Sequence, residues 1–193
     1  MTRPGLSPRI ARLEDASALA ELWGDVIRRV DRSDQVADLE LVIKAAAESP
    51  EQRFIVVEHD GQVAGSVFLR MTTVSPLNLE PCVQSIQPRV FPQYRRRGVG
   101  RMLMEAAVAF AEENGILHVM TAVPATARDA NRFMARIALA PAATLRIAPT
   151  SVVRSRLCPA APTGPVRSTP RVLVARRNLR RARAAQSDVP LPD

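Results

Sequence analysis

The sequence predicts an α/β domain in which a mixed, mostly antiparallel β-sheet is flanked by helices. Two β-rich runs, 54–57 and 63–71, flank the dipeptide Asp60-Gly61, which is a strong hairpin signal. A further strand-like run at 82–91 leads into a basic turn with two glycines and then into an alanine-rich amphipathic helix. Hairpin strands combined with a strand–turn–helix unit are typical of a mixed sheet with helices packed on it.

The composition indicates one folded domain with an appendage. The chain has 193 residues, of which 47% are hydrophobic, enough for a buried core. Two cysteines, Cys82 and Cys158, are too few for a disulfide framework, and no Cys/His spacing predicts a metal site. No apolar run is long enough to span a bilayer, and the N-terminus lacks the pattern of a signal peptide. We therefore expect a cytoplasmic protein without metal or membrane association.

The charge is concentrated at the C-terminus. The net charge is +8, and residues 158–193 hold seven arginines and two aspartates. Four prolines predict a linker at 158–170, followed by a basic helix or partly disordered tail at 171–193, which leaves the domain at 1–157. An arginine-rich tail leaves nucleic acid and a homodimer open as partners, but the 4% of aromatic residues argues against base stacking.

The first part of the chain predicts a strand and two helices. Residues 9–13 suit a short strand. Asp15 is placed as the N-cap of a helix at 16–30, in which apolar residues recur at helical spacing and Trp23 is expected in the core. A second helix is predicted at 39–48.

The later elements follow the central helix at 99–114. Residues 116–122 predict another strand, and the run 82–91 is expected near the centre of the sheet. A short helix is predicted at 129–138, and two closing strands are predicted at 142–148 and 151–157.

The turn between the central strand and helix suits a phosphate group. The first N–H groups of a helix have no partner within the helix, and its macrodipole favours an anion there. Gly98 and Gly100 remove side chains that would hold a ligand away, and neighbouring arginines add positive charge.

Three glycine patterns compete for this turn. A Walker A loop requires Lys-Ser/Thr after the last glycine, where this chain has Arg101-Met102. A dinucleotide fingerprint requires a third glycine where Leu103 stands. The pattern Arg/Gln-x-x-Gly-x-Gly/Ala is met by Arg95 and the two glycines.

The run YRRRGVGRMLMEAAVAFAEENG, residues 94–115, resembles the acetyl-CoA signature of the GNAT superfamily of N-acetyltransferases. The resemblance covers about residues 8–157. It implies a GNAT-like sheet whose central strands splay to admit acetyl-CoA, and transfer of the acetyl group to a primary amine of a protein or small molecule. An acetyl-CoA-binding sensor or interaction module with weak catalysis is the alternative.

The resemblance also implies a cofactor site. The pyrophosphate of CoA would rest on backbone N–H groups of the turn, the pantetheine would lie along the central strand, and the start of the helix at 129–138 would contact the cofactor arm. The cofactor-binding residues implied are Pro88, Arg89, Val90, Arg95, Arg96, Arg97, Gly98, Val99, Gly100, Arg101 and Asn131.

Catalytic side chains carry over less completely. The glutamate base of many relatives falls on Gln84 and their tyrosine acid falls on Met134, and neither side chain can exchange the proton. Glu80 and His118 are the remaining candidates, with a buried structural histidine as the alternative for His118. Pro88 lacks an N–H group and is expected to mark a bulge where the strand splays.

Overall fold

Five strands form one sheet in the order β1-β2-β3-β4-β5. The computed structural model describes residues 5–157. The pairings from β1 to β4 are antiparallel, and β4 and β5 are parallel. This mixed, mostly antiparallel sheet confirms the predicted fold class. The strands are Leu6–Ile10 (β1), Gln52–His59 (β2), Gln62–Thr73 (β3), Pro81–Val90 (β4) and His118–Thr121 (β5).

The hairpin between β2 and β3 forms where it was predicted. Asp60 and Gly61 have φ angles of 52° and 78°. A two-residue hairpin turn with positive φ at both central residues has a twist that matches that of the strands. Asp-Gly adopts these angles readily, which explains why it stands here.

Helices cover both faces of the sheet. One face packs Phe54 and Val56 against the first two helices, and the opposite face packs Val83 against the third. Because successive side chains of a strand point to opposite faces, β2 contributes to both cores. The helices are Ala16–Leu22 (α1), Arg32–Glu48 (α2), Val99–Glu113 (α3), Arg128–Arg136 (α4) and Thr150–Leu157 (α5).

The N-terminal elements differ from prediction. The first strand is Leu6–Ile10 instead of 9–13, and α2 begins seven residues earlier than predicted, at Arg32. Asp15 occupies the N-cap position of α1, but its side chain makes no capping bond. Its carboxylate instead accepts hydrogen bonds from Arg9 at 2.7 and 2.8 Å.

The predicted helix at 16–30 is wrong beyond Leu22. The N–H groups of Val26 and Ile27 both donate to the carbonyl oxygen of Trp23, which makes a turn in place of a continuing helix. Trp23 is buried, as predicted. Its indole and the neighbouring Asp25 are bonded to β4, so tertiary contacts end the helix despite its apolar spacing.

The two predicted closing strands are wrong. Residues 141–149 have no regular structure, and residues predicted as the last strand form α5. The N–H groups of Val152 and Val153 donate to the carbonyl oxygen of Pro149 at 3.0 and 3.1 Å, closing a helical turn. Two adjacent valines, Val152 and Val153, do not alternate as a half-buried strand requires, and Pro149, whose fixed φ suits the start of a helix, directly precedes α5.

Within the described residues, the chain divides into two units, one ending at Ala140 and the other beginning at Pro141. The sheet and α1 to α4 belong to the first, and α5 belongs to the second. The predicted linker at 158–170 and the basic tail at 171–193 lie outside the described residues and stay predictions. Within residues 5–157, no helix is both long enough and apolar enough to cross a membrane.

Candidate functional site

The site is built around a gap between β4 and β5. The parallel pairing runs only from Cys82 opposite His118 to Ser85 opposite Thr121. The Thr121 hydroxyl donates to the carbonyl oxygen of Ser85 at 3.0 Å at the end of this pairing. β4 continues to Val90, so residues 86–90 have no strand partner on the β5 side within the described part of the chain. The pairing therefore ends part-way along β4, where the predicted splay would begin, and β4 is an internal strand, the fourth of five.

A bulge shapes the part of β4 that has no partner on the β5 side. Its register against β3 shifts between Ser66 and Phe68, and Gln87 has a φ of 49°. Pro88 follows directly, so the prediction that it marks a bulge is confirmed. Since a side chain at positive φ is unfavourable, outside contacts must hold this geometry. One such contact is the 3.2 Å hydrogen bond from the Trp23 indole to the Gln87 carbonyl oxygen.

The turn before α3 offers free backbone donors. Gly98 is the N-cap of α3 with a φ of 98°, a conformation that favours glycine. Within residues 5–157, the N–H groups of Gly98, Val99 and Gly100 donate to no other group. A Cβ atom on Gly100 would lie 3.9 Å from its nearest neighbour, Cγ2 of Val90, so no packed group fills this space. Successive free donors at the start of a 15-residue helix fit a pyrophosphate group.

The arginine side chains near the turn are partly engaged. Arg101 forms a 2.7 Å ion pair with Glu105, one turn along α3. The Arg97 guanidinium lies 3.5 Å from the His59 ring nitrogen and over the ring of Tyr94. The backbone of the turn is therefore its more direct anion site, and the side chains add charge around it.

Gly65 of β3 is a residue that the sequence analysis missed. A Cβ atom there would lie 2.6 Å from the carbonyl oxygen of Arg89 and 2.8 Å from Cγ1 of Val99. Only glycine lets β3 approach the end of β4 and the start of α3 this closely. A glycine inside a strand pattern was the available signal.

Asn131 lies at the start of α4, after the loop that follows β5. Its side-chain amide donates to the carbonyl oxygens of Pro124 and Ala127 at 3.0 and 2.9 Å. These bonds tie the loop to the helix. Its contact with a cofactor stays a prediction.

The two departures from the family pattern lie on β4 and α4, and the two remaining catalytic candidates lie on β5 and in the loop before β4. Gln84 accepts a 2.9 Å hydrogen bond from Arg70 through its side-chain oxygen. Met134 is buried in the core between the sheet and α3. His118 is 53% exposed, so the expectation of a buried histidine is wrong. Its Nδ1 lies 3.4 Å from a carboxylate oxygen of Glu80, which brings the two remaining candidates together. Within the described residues, no cluster of three or more His, Cys, Asp or Glu side chains has the arrangement of a metal site.

Residues 17–138 match the model of the acetyltransferase (GNAT) family. None of the curated proteins compared with the sequence matches it significantly.

Solved structures share the fold at low sequence identity. Glucosamine-6-phosphate N-acetyltransferase from Arabidopsis thaliana aligns with a TM-score of 0.59 and 13% identity over 75% of this chain and 98% of its own. Ribosomal-protein-alanine N-acetyltransferase from Brucella melitensis aligns with a TM-score of 0.55 and 17% identity over 75% and 98%. An aminoglycoside N-acetyltransferase in complex with CoA aligns with a TM-score of 0.62 and 13% identity over 77% and 98%. At these identities the likeness shows the fold.

Proposed function

This chain belongs to the acetyltransferase (GNAT) family, and we propose that it transfers the acetyl group of acetyl-CoA to a primary amine. The observation that carries the proposal is the set of free N–H groups on Gly98, Val99 and Gly100 at the end of a splayed strand. An elongated ligand with a pyrophosphate at one end fits this site, because the turn suits an anion and residues 86–90 of β4 have an edge without a strand partner on the β5 side.

We propose that the chain holds acetyl-CoA mainly through its backbone. The turn at 95–101 would bind the pyrophosphate, and Pro88 to Val90 would lie along the pantetheine. The guanidinium of Arg89 forms an ion pair with Asp25, so Arg89 would contribute through its main chain. When bound, acetyl-CoA supplies an activated thioester that an amine attacks directly.

An amine acceptor is supported by the family and by the names of the structural neighbours. Those names specify a sugar phosphate amine, a ribosomal protein alanine and aminoglycosides. The acceptors differ widely, so the acceptor of this chain must be argued from its own residues.

The attacking amine must lose a proton, and Gln84 cannot take it. We propose His118, with Glu80 as its partner, as the group that receives the proton. His118 lies three residues before the end of the β4–β5 pairing, about 10 Å along the strand, so transfer would pass through water.

A sensor or interaction module that binds acetyl-CoA with weak catalysis is the second candidate. It is favoured by the amide of Gln84 and by the buried thioether of Met134, which stand where many relatives have catalytic groups. Both candidates require cofactor binding, and only the first requires turnover.

The first test is binding. CoA and acetyl-CoA should raise the melting temperature, and Gly100→Glu should abolish the shift because its carboxylate would occupy the pyrophosphate position. Val108→Glu is a matched control, since it adds the same charge to an exposed position of α3. No shift with millimolar ligand in the parent chain would exclude both candidates.

The second test is a panel of primary amines, with acetyl-CoA turnover followed as thiol release. Turnover with an amine supports the transferase. If acetyl-CoA binds but no amine in the panel gives turnover, the sensor is supported.

A further inference from the structure

Four arginines lie in the strands of the sheet, and three of them are neutralised by carboxylates. Arg70 on β3 is the exception, since no carboxylate within residues 5–157 forms an ion pair with it. The three pairs are Arg9 with Asp15 and Glu58, Arg53 with Glu113, and Arg89 with Asp25.

Arg70 instead bonds to an uncharged partner. Its Nε donates to the side-chain oxygen of Gln84 at 2.9 Å. Its two Nη atoms donate to no group in the described part of the chain, and the side chain is exposed. A planar guanidinium with both terminal nitrogens free retains the geometry that binds a carboxylate through two parallel bonds.

Arg70 lies close to the point where the pairing of β4 and β5 ends. Arg70 pairs with Gln84 on β4, and Gln84 pairs with Met120 on β5, so these three side chains share one face of the sheet. His118 lies two residues before Met120 on that face. Ser85, the next residue of β4, is the last to pair with β5. The residue opposite Arg70, Gln84, is therefore one residue before the end of the β4–β5 pairing.

Cys82 lies on the same face of the sheet, two residues before Gln84 on β4. Burial raises the pKa of Cys82, and the positive charge of Arg70 acts in the opposite direction. Cys82 pairs with Thr72, two residues beyond Arg70 on β3.

We infer that Arg70 binds a carboxylate of the acceptor, so that the preferred substrates are small primary amines that also carry a carboxylate. This inference rests on the proposed acetyl transfer. A cation beside the acceptor position attracts such amines and repels polycations, which makes polyamines and aminoglycosides poor substrates. Gln84 contributes by holding the guanidinium without neutralising it.

The test uses pairs of amines that differ in the carboxylate. Alanine is compared with alaninamide, and lysine with cadaverine, by kcat/KM at saturating acetyl-CoA. We expect the carboxylate-bearing member of each pair to be preferred by about tenfold, the order of a charge-assisted hydrogen bond. The amine of alaninamide is less basic than that of alanine, so a larger fraction of alaninamide is unprotonated at a given pH. A preference for alanine therefore cannot arise from a larger unprotonated fraction of alanine.

Arg70→Gln should remove the preference. Arg53→Gln is the matched control, because it removes a strand arginine that lies against the Phe110 ring of α3. A preference that survives in Arg70→Gln, or that is absent in the parent chain, overturns the inference and leaves acetyl transfer intact.

Binding gives a second readout that does not need turnover. Alanine should bind the CoA-loaded chain in calorimetry, and Arg70→Gln should weaken this binding by a similar factor. Unchanged binding overturns the inference. Absence of thiol release with every amine overturns the proposed transfer, whatever alanine binding shows.

Discussion

The indole nitrogen of Trp23 donates a hydrogen bond to the carbonyl oxygen of Gln87, 3.2 Å away, at the bulge of β4. The indole is buried and stacks on Phe54 at 5.1 Å between ring centroids. Two residues further along each segment, Asp25 pairs with Arg89. The turn after α1 therefore holds residues 87–89 of β4, which have no partner on the β5 side, from the face of the sheet opposite α3.

This contact predicts an effect on catalysis. In the proposed binding mode the pantetheine lies along this part of β4, and the Trp23 bond engages the Gln87 carbonyl oxygen, which would otherwise repel the negative charge that develops on the thioester oxygen. Trp23→Phe keeps the stacking and loses the donor. We expect kcat to fall about tenfold and the Kd of CoA to change less, because the proposed pyrophosphate site is the turn at 95–101.

Asp25→Asn is the control for Trp23→Phe. It weakens the ion pair with Arg89 and leaves the Gln87 carbonyl bonded, so kcat should change less. Equal loss of kcat in both variants would indicate that the turn acts only as a structural support.

Gly65 predicts a link between packing and cofactor binding. In Gly65→Ala the new methyl group meets the Arg89 carbonyl oxygen and Val99, and the end of β4 must move away from β3. We expect the free energy of unfolding to fall by about 2 kcal/mol, typical of overpacking, and CoA to bind more weakly. Urea unfolding and calorimetry measure the two effects.

Gly100→Ala is the stability control for Gly65→Ala. Its Cβ atom would have no neighbour closer than 3.9 Å, so unfolding should not become easier. Equal destabilisation by both alanines would contradict the packing argument.

Local chemistry made some features predictable. Asp60-Gly61 specifies its own turn, and Gly98 and Gly100 signal a helix start with free donors because the requirement lies in the backbone of those residues. The end of α1 was not predictable, because it depends on Gln87 and Arg89, which are 64 residues from their partners. The apolar spacing of the segment fits a longer helix, and tertiary contacts override it.

The same distinction applies to the candidate site. Gln84 and Met134 were recognised as departures from the family pattern by position alone. The sequence did not reveal that Arg70 meets Gln84, or that His118 is exposed beside Glu80, because both facts depend on strand register.

Asp15 predicts a pH dependence of stability. Burial alone would raise the pKa of its carboxyl, but hydrogen bonds from Arg9 and the Arg12 N–H outweigh burial and hold the pKa below its usual value. A lowered pKa stabilises the fold above the unfolded pKa, about 3.9, and this stabilisation is lost as the pH falls through the folded pKa. Asp15→Asn should lower the free energy of unfolding by about 2 kcal/mol at pH 7, and the difference should shrink as the pH falls below about 3.9.

Urea unfolding at several pH values measures this difference. Glu14→Gln is the control, because its ion pair with Arg12 is exposed and should contribute little. A difference between Asp15→Asn and the parent chain that stays constant as the pH falls would contradict the linkage.

Gln84→Glu tests catalysis and acceptor choice together. The new carboxylate would stand beside the Arg70 guanidinium, which would lower its pKa and keep it ionised at neutral pH, able to accept a proton from the amine. We expect kcat to rise about tenfold, less than a full general base provides because the ion pair weakens its basicity.

Since the glutamate would also neutralise Arg70, the preference for alanine over alaninamide should decrease in the same variant. Gln84→Ala separates the two effects: it supplies no base and leaves the charge of Arg70 unpaired, so kcat should not rise and the preference should decrease less than in Gln84→Glu. A rise in kcat with an unchanged preference would show that Arg70 does not bind the acceptor carboxylate.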